Sequence, residues 1–191
     1  MNGTALLAFD DVACRRGGRV LFEHLSFLLA PGDALLLRGP NGVGKSSLIR
    51  LAAGLLKPVD GRIDRSGSAA LLSHELALDD TQSLEIALIF WARLDGSSRG
   101  AVTRALQSMG LDQLAPVPVR FLSSGQKRRA GMARVIACGA SLWLLDEPGV
   151  GLDAASLARL AAAIEQHRAD GGAVIAATHM ELGLNAPRTL D

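Results

Sequence analysis

Eight consecutive residues, Gly39-Pro40-Asn41-Gly42-Val43-Gly44-Lys45-Ser46, restrict the possible folds of this chain more than any other stretch. They fit G-x-x-x-x-G-K-[ST], in which the glycines let the backbone curl until successive N–H groups converge on phosphate oxygens. Such a loop needs a buried strand before it and a helix after it, because the helix adds its positive N-terminal end. Both flanks are present. Residues 34–37 read Ala-Leu-Leu-Leu, a continuous apolar run suited to a central parallel strand buried on both faces. Residues 45–55 read as a helix. In this geometry Lys45 reaches the β- and γ-phosphates of a nucleotide and the Ser46 hydroxyl ligates Mg²⁺, with Ser47 completing the nucleotide-binding stretch.

Bulk properties narrow the setting. At 191 residues with 49% hydrophobic content, the chain can bury one sizeable core and is not extensively disordered. Twenty basic and nineteen acidic residues leave a formal charge of +1, so no nucleic-acid partner is expected. Cys14 and Cys138 lie outside any metal-binding spacing and suit a reducing cytosol as free thiols. The N-terminus lacks a basic segment, and Asp10 and Asp11 end its apolar stretch early, so it does not read as a signal peptide. No apolar run approaches the ~20 residues that span a bilayer. The expectation is a soluble chain, or one held at a membrane through a partner.

Along the chain, residues 5–12 and 20–29 read as strands joined by the Gly17-Gly18 turn, and Pro58-Val59-Asp60-Gly61 reads as a further turn. Residues 69–73, 141–145 and 173–177 read as strands. Residues 83–110 read as helical with breaks near Gly96 and Gly100, closed by Pro116 and Pro118; 126–138 and 154–169 read as helices. Strands that alternate with helices imply a parallel α/β core.

The apolar run 142–145 ends in Asp146-Glu147-Pro148. Adjacent carboxylates at the mouth of a parallel sheet are costly unless a cation or substrate occupies the crevice. Asp146 is placed to hold Mg²⁺ and Glu147 to polarise an attacking water. His179 follows the last strand and is placed to hydrogen-bond the γ-phosphate.

Leu122-Ser123-Ser124-Gly125-Gln126 opens the helix that precedes this strand. Here the sequence resembles the ABC ATPase family, whose signature is usually LSGGQ; Ser124 stands where the first glycine is usual. The resemblance covers nearly the whole chain. Residues 39–46 look like Walker A, 142–146 like Walker B, Glu147 like the catalytic glutamate, 150–153 with Asp153 like the D-loop, and His179 like the switch histidine. It implies an α/β P-loop NTPase of ABC type: a mainly parallel core sheet, an antiparallel N-terminal β part and a small helical subdomain. One domain, 1–191, would carry that subdomain at about 76–121. The resemblance also implies an ATPase that works as a homodimer, in which Ser123, Ser124, Gly125 and Gln126 of one copy face the γ-phosphate held by the other. Lys45, Glu147 and His179 are its catalytic set, with ATP and Mg²⁺ as ligands.

Residues 21–27, 122–129 and 177–184 are similar to one branch, the ATP-binding subunits of the cytochrome c maturation system. That likeness implies a peripheral subunit on the cytoplasmic face of a bacterial inner membrane, paired with an integral membrane permease and other maturation components. Haem export, or release of a haem-loaded chaperone, would be the work done. Other ABC transporters, and soluble ABC ATPases acting on nucleic acid or ribosomes, are the alternatives. Two positions depart from the family pattern. Arg16 stands where many members stack an aromatic residue on adenine, and a cation–π contact could replace it. Glu75 stands at the Q-loop position, as a candidate Mg²⁺ ligand. Lys127-Arg128-Arg129 reads as a solvated helix turn. Phe90 and Trp91 read as either subdomain core or a transporter-facing surface.

Overall fold

A computed structural model of the chain describes residues 5–190. Residues 1–4 of the N-terminal stretch, and Asp191 at the end of the expected domain, lie outside the described residues. β1 (Leu7–Arg16) and β2 (Arg19–Leu29) pair antiparallel, and β4 (Asp60–Arg65) pairs antiparallel with the other side of β1. The expected turn at 58–61 thus runs straight into a strand. β4 reads Asp-Gly-Arg-Ile-Asp-Arg, with only Ile63 partly buried, so it has no apolar period to announce it.

The second sheet holds β3 (Ala34–Leu37), β5 (Ala69–Leu72), β6 (Leu142–Asp146), β7 (Ala173–Ala177) and β8 (Arg188–Leu190). Its order is β5-β6-β7-β3-β8 and every neighbouring pair is parallel. The side-chain period of two divides each strand between two cores. Leu142 and Leu144 of β6 join Leu35 and Leu37 of β3, α1 (Lys45–Ala52) and the antiparallel sheet on one face. Trp143 and Leu145 join Leu36, Val174 and the remaining helices on the other.

Those helices are α2 (Leu84–Leu94), α3 (Arg99–Ser108), α4 (Ser124–Cys138) and α5 (Ala154–Ala169). Ser83 and Ser98 cap the first two by accepting the N–H groups of Ile86 and Ala101, satisfying donors that a helix start leaves free. α4 ends at Gly139 in the left-handed conformation, a common helix stop. The parallel sheet with an antiparallel N-terminal part and a helical portion is the fold class expected from the sequence. Among the described residues no helix is long and apolar enough to cross a membrane.

Candidate functional site

β6, β7 and β3 are parallel neighbours, so their C-terminal ends open on one side of the sheet. The Gly39–Ser46 loop leaves β3, Asp146 closes β6, and Thr178-His179 follow β7. The loop lysine is held over its own backbone: Lys45 Nζ donates to the carbonyls of Gly39 at 2.6 Å and Pro40 at 3.1 Å. Ser46 Oγ donates to Asp146 Oδ1 at 3.2 Å, joining the start of α1 to the end of β6. His179 Nε2 lies 3.0 Å from Asn41 Oδ1 and 3.2 Å from Glu147 Oε1. Glu147 sits at φ 50°, a region costly for a residue with a side chain, while its N–H donates to Ala177 O at 2.9 Å.

Asn41, Gly42, Gly44 to Ser47, Asp146 and Glu147 line one cavity of about 220 Å³, which Leu21 of β2 completes. Gly44 has φ 125°, and a Cβ there would stand 3.2 Å from Phe22 Cδ1 and 3.3 Å from Leu21 Cβ, so β2 presses directly on the loop. A larger cavity of about 680 Å³ lies at the opposite end of β6, beside Ser141, Trp143 and His167, and contains none of these groups.

The donor set suits a hard divalent cation. Glu147 Oε2 is buried with no hydrogen-bond partner among the described residues, next to the Ser46–Asp146 pair. No three His, Cys, Asp or Glu side chains cluster as a self-sufficient metal cage among the described residues. Mg²⁺ takes only one or two carboxylates and fills its shell with water and substrate phosphate oxygens, so Ser46 and Asp146 are the residues that would hold it. Glu75 is exposed and does not line the cavity. Arg16, at the exposed end of β1, does not line it either; Leu21 does.

Ser123 caps α4 in a reciprocal arrangement. Its Oγ accepts the Gln126 N–H at 3.2 Å, and Gln126 Oε1 accepts the Ser123 N–H at 2.8 Å. Ser123 and Ser124 are exposed and line no part of the loop cavity. A Cβ on Gly125 would stand 3.2 Å from Gly151 O, so signature and D-loop share one patch of surface. Asp153 caps α5 by accepting the Ser156 N–H at 2.7 Å, and hydrogen bonding from the Ser156 side chain, then from its backbone, holds the carboxyl below the usual range.

The three basic residues after the signature do not form the expected solvated turn. Arg128 is 9% exposed and donates to Ser73 O at 3.0 Å and to the carbonyls of Asp146 and Glu147. Arg129 donates to the carbonyls of Met109 at 2.9 Å and Gly110 at 3.2 Å, and Lys127 pairs with Asp80 at 3.4 Å. Helical geometry turns successive side chains by about 100°. Arg128 falls on the stripe with Gly131, Met132 and Val135, all buried. That i, i+3, i+4, i+7 spacing was the available signal, masked by the charge.

Residues 22–150 match the family model described as ABC transporter. The chain is 59% identical over 181 residues to the cytochrome c biogenesis ATP-binding export protein CcmA of Sphingopyxis alaskensis, covering 95% of this chain and 93% of that relative. It is 50% identical to the CcmA of Zymomonas mobilis, over 98% and 85% of the two chains. Among solved structures, an ABC transporter ATP-binding protein from Pyrococcus furiosus aligns with a TM-score of 0.84 at 25% identity, over 96% of both chains. CbiO1 of Clostridium perfringens, part of the ABC transporter complex CbiONQ, aligns with a TM-score of 0.77 at 25% identity, over 92% of this chain and 79% of that one. The chain is therefore an ATP-binding, ATP-hydrolysing transporter subunit, and it belongs to the ABC transporter family, within its CcmA group.

Proposed function

We propose that the chain works as a homodimer that closes on two ATP molecules, each held between the Gly39–Ser47 loop of one copy and the Ser123-capped start of α4 of the other. The observation that carries this reading is the exposed helix N-terminus at Ser123 and Ser124, set apart from the loop cavity of its own chain. A helix start that offers free N–H groups suits a phosphate brought by a second molecule.

Within each site Lys45 exchanges its carbonyl partners for the β- and γ-phosphate oxygens. Glu147 orients and polarises a water, whose oxygen attacks the γ-phosphorus while the bond to the β–γ bridging oxygen breaks. His179 leaves Asn41 and Glu147 to donate to the γ-phosphate. Ser46 and Asp146 would hold Mg²⁺, which would supply positive charge to offset that of the phosphates. Loss of the γ-phosphate removes the shared ligand and releases the two copies.

The cycle would serve c-type cytochrome biogenesis, as haem export or as release of a haem-loaded chaperone, from the cytoplasmic face of a bacterial inner membrane. The partner is an integral membrane permease of the same system. Ile86, Phe90 and Leu94 support this, because they recur every four residues on α2 and are 53%, 58% and 64% exposed. They belong to the helical subdomain, about residues 76–121, inserted in a single ATPase domain. Trp91 is partly buried and donates to Ala77 O at 2.5 Å, so it supports that surface from beneath.

Glu147→Gln is the test. Hydrolysis should fall by about 10²–10⁴-fold, while light scattering detects a dimer at saturating Mg-ATP. A variant that stays monomeric under those conditions, also beside its membrane partner, overturns the proposal.

A further inference from the structure

The ATP chemistry above leaves the Arg128 guanidinium unused, although it is buried against the catalytic carboxylates. All three of its hydrogen bonds end on main-chain carbonyls, those of Ser73, Asp146 and Glu147. No ion pair to a carboxylate is formed, and Nε is buried without a partner, among the described residues. Burial pushes its pKa down, and the charges of Asp146 and Glu147 act against that shift.

The acceptors span two strand ends. Ser73 follows β5, the border strand of the parallel sheet, and Asp146 closes the adjacent β6. On the same helix Arg134 donates to Leu71 O at 2.5 Å. The carbonyls of 71 and 73 are two residues apart and so point the same way from β5. Both are tied to α4. Close approach of α4 is possible because Gly131 lies between the two arginines; a Cβ there would meet Leu76 Cδ2 at 2.5 Å and Leu72 Cδ1 at 2.9 Å. The fork therefore connects the helix that begins at Ser123 to the main chain of Glu147, whose left-handed conformation needs a fixed surrounding to persist.

We propose that Arg128 is a positioning residue for ATP hydrolysis: through it, the start of α4, engaged with one nucleotide of the sandwich, sets the place of Glu147, which acts on the other. This rests on the homodimer reading above. Each copy then transmits the occupancy of one site to the catalytic carboxylate of the second, and hydrolysis becomes cooperative in ATP. Lysine cannot replace the fork, since one ammonium on a flexible stem does not bridge two strand ends with fixed geometry.

The experiment compares Arg128→Gln and Arg128→Lys with the parent. ATP-driven dimerisation is measured in the Glu147→Gln background, and hydrolysis in the active one. Arg128→Gln should dimerise with ATP, lose at least about tenfold in kcat, and show a Hill coefficient lowered towards one. Arg128→Lys should recover part of kcat without cooperativity. A merely structural role would lower the melting temperature and active fraction and leave KM and the Hill coefficient at parent values; that outcome overturns the proposal. A parent Hill coefficient of one overturns it too. Should Arg128→Gln be insoluble, Arg128→Lys alone decides, since parent-level kcat and cooperativity in that variant contradict the role. A parent that never dimerises removes the homodimer and this coupling together, whereas a dimerising parent with indifferent Arg128 variants removes the coupling only.

Discussion

Glu147 and Glu75 carry the same carboxylate in opposite situations. The Glu147 side chain is 26% exposed, has one oxygen near His179 and the other buried without a partner among the described residues. That second oxygen is left free to accept from a water or to meet a cation. Glu75 is exposed, and its carbonyl accepts from the Ser73 hydroxyl at 2.9 Å. An exposed charge near bound phosphates opposes them weakly, by at most ~1 kcal/mol. Glu75→Gln is therefore expected to leave ATP affinity unchanged or to tighten it by up to about fivefold. A nucleotide titration with clearly weaker binding would contradict this and would assign the carboxylate a direct role on the metal.

At the scale of elements, β6 and α5 meet through a stacked pair: the Trp143 and His167 rings are 3.9 Å apart and 4° from parallel. Burial pushes the His167 imidazole below its ordinary value of 6.5, outweighing the backbone of Ala173 and Ser141, which act the other way. The folded chain therefore keeps the ring neutral where the unfolded chain already takes a proton. Stability is lost as pH falls through about 6.5 towards the lowered value, and levels off below it. His167→Phe keeps the stack and removes the titration. Its melting temperature should gain on the parent between about pH 7.5 and pH 5.5. A difference that does not change with pH would refute the argument. The elements with dense apolar patterns were legible in the chain: residues 154–169 and 173–177 were expected as helix and strand, and α5 and β7 occupy those spans. β4 and β8 were not legible, because a charged six-residue border strand and a three-residue Arg-Thr-Leu strand owe their shape to a neighbour's open hydrogen bonds. The meeting of the loop, both carboxylates and His179 at the strand ends was legible, because each follows an apolar run that reads as a strand of the parallel sheet. Arg128 was only half legible: its helical spacing marks a buried position, but its acceptors are main-chain carbonyls, which leave no mark in a sequence.

For the whole molecule, the loop cavity and the exposed row Ile86, Phe90 and Leu94 on α2 share no residue. Phe90 projects from α2, with its ring edge-on to Trp91 at 5.6 Å. Phe90→Glu is expected to move the melting temperature by no more than about 2 °C, since an exposed substitution rarely changes stability by over 0.5 kcal/mol. It should weaken recovery of the chain with its membrane partner by about 30-fold, the loss of one aromatic anchor. Co-purification from detergent-solubilised membrane measures this, and undiminished recovery would relocate the docking surface. The arginine ties of α4 have one further consequence. An open border strand invites another protein's strand to zip onto it, the first step towards aggregates. On the β5 margin of this sheet, Arg128 and Arg134 occupy carbonyls that such a strand would seek. Edge-to-edge pairing between copies of the chain is thereby disfavoured on that margin.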